Sequence, residues 1–325
     1  MPRHIIIDTD IGTDIDDTFA VVLAAKSREV EVKAVTTVYG DVDIRARVAR
    51  KLLNLAGRDD IPVAKGLGEP LTRGMKPIVD GHEGKGVLTP SDTDLEIHKV
   101  PAVDLIVNKI QESSEGITMI TIGPLTNFAS AIKKEPSIVE KISEYIVMGG
   151  VIEPPIIGGK PISPRLEFNL NADPDATRIV FNAGIRSVSM VMLDVTWRVL
   201  IGQSHLQRLR AADTPLTNIL ANMLEIWLEK INAGKSIYGV NYPGQNVVAI
   251  HDPVAVSLAI DPRFLTLRET HIELRVIDNI LRTIPNPTLK PNMKVATDVN
   301  VKGFLDFFME IEAGRRYAWN GSNDG

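Results

Sequence analysis

Ile5-Ile6-Ile7-Asp8-Thr9-Asp10-Ile11-Gly12-Thr13-Asp14-Ile15-Asp16-Asp17 passes from an apolar run through five aspartates and, after Thr18, into the second apolar run Phe19-Ala20-Val21-Val22-Leu23. A short strand, an acidic turn and a buried helix is the local reading, the first half of a βαβ unit. Two carboxylates about 4 Å apart repel by about 4 kcal/mol at an effective dielectric near 20. A convergent set therefore needs a cation, a proton or solvent to relieve it. Helix N-termini favour acids, which accounts for one or two of the five and leaves the rest pointing to a divalent ion. A cation held only by oxygen ligands would be calcium or magnesium.

Working outward, strand-like and helix-period segments alternate. The pattern predicts a helix over 16–27, a strand over 32–38, a helix over 42–57, then helix 101–113, strand 117–122, helix 125–134, strand 145–148, helix 174–182 and strand 188–193. That rhythm implies an α/β fold with an open, mostly parallel sheet flanked by helices. In such sheets ligands bind beyond the carboxyl ends of strands, where Asp8 and Asp10 fall. A helical region is expected from Leu200 to Ile231, a polar segment from Asn232 to Asn246 as a lid, strands around Leu265 to Val276 and a helix near Val301 to Ala313. No linker composition divides the 325 residues, so one catalytic domain over 1–319 is expected, with Asn320–Gly325 as a frayed tail.

Composition narrows the classes. Hydrophobic residues make up 44% and charged residues 24%, and a net charge of −5 offers no basic field for nucleic acid. With no cysteine, thiolate nucleophiles, disulfides and zinc–thiolate sites are excluded, and a reducing cytoplasm is the expected compartment. No run of about 20 apolar residues suggests a membrane span, and Met1–His4 lacks the features of a signal peptide.

Three further segments carry polar chemistry. In Glu167-Phe168-Asn169 the two polar side chains would share one side of an extended segment and could bind sugar hydroxyls, whereas Asp173-Pro174 reads as a helix cap. His251-Asp252-Pro253 could be a plain helix start, as Asp261-Pro262 is a plain corner. In Ile120-Thr121-Ile122-Gly123-Pro124 a strand ends in a Gly-Pro turn, where a backbone carbonyl could serve a hard cation.

Taken together with Thr36-Thr37-Val38-Tyr39-Gly40 and Met148-Gly149-Gly150, these segments resemble the nucleoside hydrolase family over nearly the whole chain. The resemblance implies hydrolysis of the N-glycosidic bond of a ribonucleoside to free base and ribose. It implies that Asp10 activates water and ligates Ca2+, with Asp17, Asp252 and the Ile122 carbonyl as further ligands. Asp16, Glu167 and Asn169 would bind the ribose, His251 would assist departure of the base, and His82 would lie in a loop that closes over the substrate. A homodimer or homotetramer with a nucleoside as its small-molecule partner is implied as well. The chemistry is coherent, because a carboxylate-rich pocket favours the positive charge that develops on the sugar.

The chain departs from the family pattern in three places. Thr13-Asp14 lengthen the acidic motif, so Asp14 could exchange roles with Asp16; Asp41 adds one more acid near the metal; and Ile156–Pro161 lacks a ribose-binding Asn. Two alternatives stand beside the hydrolase. A haloacid-dehalogenase-like phosphatase would use Asp8-Thr9-Asp10-Ile11-Gly12-Thr13 as a nucleophile motif with magnesium, and a non-catalytic nucleoside- or sugar-binding protein would keep the scaffold without turnover.

Overall fold

A computed structural model describes residues 2–12, 14–78, 81, 83–234, 242 and 245–314. The first half alternates as expected, with β3 as one unforeseen strand: β1 (Arg3–Thr9), α1 (Asp16–Lys26), β2 (Val30–Thr37), α2 (Val42–Leu55), β3 (Val63–Lys65), α3 (Ala102–Glu112), β4 (Ile117–Thr121), α4 (Thr126–Lys134) and β5 (Ile142–Met148). The two-stranded ribbon β6 (Ile156–Ile157) and β7 (Lys160–Pro161) precedes α5 (Pro174–Phe181), β8 (Val188–Val191) and the single turn α6 (Leu193–Thr196). After these come β9 (Leu200–Gly202), α7 (Gln203–Ala212), α8 (Pro215–Asn232), β10 (Val247–Ala249) and α9 (Asp252–Ile260). The chain then forms β11 (Leu265–Thr270), β12 (Ile272–Ile277), β13 (Ile280–Pro285), β14 (Met293–Val299) and α10 (Val301–Glu312).

Eight strands form one sheet in the order β11-β14-β8-β5-β4-β1-β2-β3. All pairings are parallel except β11 with β14. β1 lies between β2 and β4, and its alternation explains why a continuous isoleucine run fits there. Ile5 and Ile7 enter the core on one face and Ile6 the core on the other. Every residue of α1 from Asp16 to Ala25 is buried, as is all of α9, and the two helices pack against each other. The N-termini of two interior helices thus meet above the carboxyl end of β1.

In the second half the departure from expectation lies over 200–231, and β13 and β14 lie beyond the expected strands. The stretch 200–231 opens with a strand: Leu200-Ile201-Gly202 pairs antiparallel with Val247–Ala249. Its helix is then broken at Asp213, which takes a left-handed φ of 45°, and restarts with Thr214 as N-cap and Pro215 in the first turn. The strands expected around 265–276 are β11, which stays in the main sheet, and β12, which turns away at His271 to pair with β13. Most of the Asn232–Asn246 segment and Asn320–Gly325 lie outside the described residues.

Candidate active site

A cleft of about 570 Å³, counting the space open to solvent, sits at the carboxyl ends of the central strands. Asp10, Asp16, Asp17, Ile122, Glu167, Asn169, His251 and Asp252 all line it, joined by Asp14 and Trp197. Residues more than 240 positions apart thus reach one cavity. His82, the remaining residue singled out from the sequence, lies outside the described residues.

The acidic wall is built from three segments. Asp10 follows the end of β1, Asp16 and Asp17 form the first turn of α1, and Asp252 opens α9. One carboxylate ties these parts together: Asp16 Oδ2 accepts the backbone N–H of His251 at 2.9 Å and that of Asp252 at 3.3 Å. Asp17 accepts a hydrogen bond from the Thr9 hydroxyl, and potential ligand oxygens of Asp14, Asp16 and Asp17 lie within 4.8 Å of one another. Burial pushes Asp10 up to about 6; the guanidinium of Arg45 opposes this shift and the Asp16 charge adds to it. Asp17 and Asp252 are also raised, first by burial and then by neighbouring carboxylates. Two helix N-termini offset part of this charge. An all-oxygen donor set, buried and held above the carboxylate range, fits a hard divalent cation that would relieve it.

Space and charge around Asp10 come from residues the sequence did not single out. Gly123 leaves room for it: a Cβ there would fall 2.7 Å from both the backbone N and Oδ1 of Asp10. Arg45 on α2 is fully buried, donating from Nε to the Tyr39 carbonyl at 2.6 Å and from Nη1 to the Ile11 carbonyl at 3.0 Å. Its signal lay in the spacing, since 45, 48, 49 and 52 mark one buried stripe of α2. Asp8 takes no part in the cleft lining. It is buried between the Thr36 hydroxyl at 2.6 Å and the Asn127 amide at 2.8 Å, and burial lifts it to about 7. Asp41, expected as one more acid near the metal, instead caps α2 from an exposed position by accepting the N–H groups of Asp43 and Ile44.

On the opposite wall, polar groups are partly committed. Glu167 Oε1 accepts from Gly150 N and Leu170 N, and Oε2 from the Asn171 amide at 2.7 Å. The Asn171 backbone N–H also donates to this carboxylate, which burial raises above the ordinary glutamate range. Asn169 spends its amide hydrogens on the Ile122 and Met148 carbonyls, at 3.1 and 3.2 Å, which leaves its side-chain oxygen as an acceptor. Asp173 caps α5 and also receives Leu71 N, Thr72 N and the Thr126 hydroxyl, a structural anchor. His251 Nδ1 lies 2.8 Å from Thr196 Oγ1, and its ring meets Trp197 edge-to-face at 4.6 Å. Burial lowers the His251 pKa and the Asp16 charge opposes that.

Residues 5–306 match the family described as inosine-uridine preferring nucleoside hydrolase. This chain belongs to that family. A pyrimidine-specific ribonucleoside hydrolase, RihA, from Salmonella schwarzengrund is 33% identical over 324 residues, covering 95% of this chain and 98% of the relative. Among solved structures, a purine-preferring ribonucleoside hydrolase from Gardnerella vaginalis superposes with a TM-score of 0.83 at 29% identity, covering 96% of this chain and 98% of that one. A plant nucleoside hydrolase gives 0.82 at 27% identity, covering 96% and 99%. Membership makes the chain a nucleoside hydrolase and removes the phosphatase alternative. The family fold is the single α/β domain described above, and among the described residues no helix is long and apolar enough to cross a membrane.

Proposed function

We propose that this hydrolase cleaves the N-glycosidic bond of ribonucleosides with Ca2+ held by the carboxylates of Asp10, Asp17 and Asp252 and the carbonyl of Ile122. The observation that carries the reading is the convergence of three buried carboxylates from three chain segments, all raised above their ordinary range despite the nearby guanidinium. Calcium suits such a set better than magnesium, because it accepts more oxygen ligands in looser geometry. When bound, the ion would orient the attacking water beside the ribose diol and ease its deprotonation.

The chain's own groups divide the remaining work. Asp10 accepts the proton of the attacking water. Asp16 takes a ribose hydroxyl through the oxygen not committed to the α9 backbone, and Glu167 and the Asn169 side-chain oxygen hold others. Negative charge on this wall favours the oxocarbenium-like sugar as the bond to the base breaks. His251 stabilises electron density on the departing base, while Trp197 supplies an apolar surface beside it.

The named relatives include a pyrimidine-specific and a purine-preferring enzyme, so the test spans both classes. Calcium-loaded protein is assayed against a panel of purine and pyrimidine ribonucleosides for release of reducing sugar. Stoichiometric release of base and ribose is the expected result. Nucleoside binding without turnover at any pH would instead mark a silent scaffold.

A further inference from the structure

We propose that Thr196 is a positioning residue that fixes the imidazole of His251 with its proton on Nε2, the ring nitrogen available to the departing base. The inference rests on the leaving-group role given to His251 above and names the device that makes the ring fit for it. Thr196 ends α6, is fully buried, and has its Oγ1 2.8 Å from His251 Nδ1. Among the described residues that nitrogen is the only hydrogen-bond partner of the hydroxyl. A buried hydroxyl beside a single acceptor donates to it, because the reverse arrangement would strand its own proton in the interior. Nδ1 is then the acceptor, so the proton of the neutral ring resides on Nε2.

The rest of the environment holds the same orientation. Trp197 packs edge-to-face on the imidazole with an interplanar angle of 79°, and the backbone N–H of His251 is anchored on Asp16. Nε2 has no partner among the described residues, while His251 lines the cleft. The imidazole is thus held at its backbone, along one face and at one nitrogen, leaving the other nitrogen as a donor in the cavity. Without the threonine hydroxyl, no hydrogen bond among the described residues would select between the two tautomers.

Two measurements test this on the calcium-loaded full chain. In protein labelled with [15N]histidine, with the His251 resonances assigned by their loss in His251→Ala, the wild type should show the Nε2–H tautomer. A wild-type Nδ1–H tautomer overturns the proposal whatever the variants do. In kinetics, Thr196→Val should lower kcat on inosine and uridine by about tenfold, less than the roughly 100- to 10,000-fold of full proton transfer because the neutral ring donates a hydrogen bond from Nε2 and keeps its proton, with KM little changed. Its loss on p-nitrophenyl riboside, whose leaving group needs little protonation, should be smaller, and Thr196→Ser should restore most of the nucleoside rate. If His251→Ala discriminates among these substrates and Thr196→Val does not, the Thr196 proposal falls while the role of His251 stands. If His251→Ala itself loses equally on all three, both fall.

Discussion

A methyl group added at Gly123 should displace Asp10. The Cβ of Gly123→Ala would sit 2.7 Å from the backbone N and Oδ1 of Asp10 and 3.1 Å from Val38 Cγ1. Ordinary contact begins near 3.4 Å, so the strand end or the aspartate must yield by roughly 0.7 Å (3.4 − 2.7). A side chain flexing alone cannot absorb this, because one of the two atoms is backbone. Misplacing a reacting group by about 1 Å costs on the order of 100-fold in rate, so kcat on inosine and uridine should fall by roughly 30- to 100-fold. Overpacking of this kind costs about 1–3 kcal/mol, which shifts the melting temperature of a chain this size by only a few degrees. The assay is kcat and KM at saturating calcium, with a thermal melt to confirm folding. A folded variant with kcat within about threefold of wild type, far below the loss expected from misplacement, would refute the claim that Asp10 is held in a tight cradle.

Asp10→Asn keeps an oxygen but cannot accept a proton, so it should retain nucleoside affinity while losing most of kcat; near-normal turnover would pass the role of base to Asp14. His251→Ala should slow inosine and uridine roughly 100-fold or more and p-nitrophenyl riboside much less, and equal losses would remove its leaving-group role. A pH effect is expected far from the cleft, at Glu312. Its carboxylate is fully buried, neither oxygen has a hydrogen-bond partner among the described residues, and burial lifts its pKa to about 8 against the pull of Lys26. The folded state therefore holds this proton over a range in which the unfolded chain has released it. Its contribution is full below the ordinary glutamate range and is lost as pH rises to about 8, on the order of 5 kcal/mol in all. Urea unfolding at pH 5 to 8 should show Glu312→Gln with a flatter decline than wild type; parallel curves would contradict this.

What the sequence made legible follows from how each part is determined. Parallel strands buried on both faces appear as short apolar runs, and the acids at their carboxyl ends stand out, so β1, β2, β4, β5, β8 and the acidic wall could be read directly, whereas β3 and the β6–β7 ribbon are too short to show a pattern. β9 could not, because Leu200-Ile201 is too short to show a period and its partner Val247–Ala249 lies beyond two helices. Arg45 falls on the buried stripe of α2, yet a charged residue on an amphipathic helix is ordinarily exposed, so only the tertiary structure reveals the carbonyls that satisfy it. Gly123 looked like a turn glycine, yet its role is to leave space for a residue more than a hundred positions away. The pairing of Thr196 with His251 was equally invisible, since nothing local marks a hydroxyl as the neighbour of a histidine 55 positions on.

The central claim is that the buried carboxylates form a calcium site required for nucleoside cleavage. Calorimetric titration of chelator-stripped protein with calcium, run beside uridine and inosine hydrolysis, tests it most directly. The account predicts one tight site per chain in wild type, turnover that rises with its occupancy, and loss of both in Asp17→Ala. Full turnover in metal-free wild type, or unchanged calcium binding in Asp17→Ala, would contradict it.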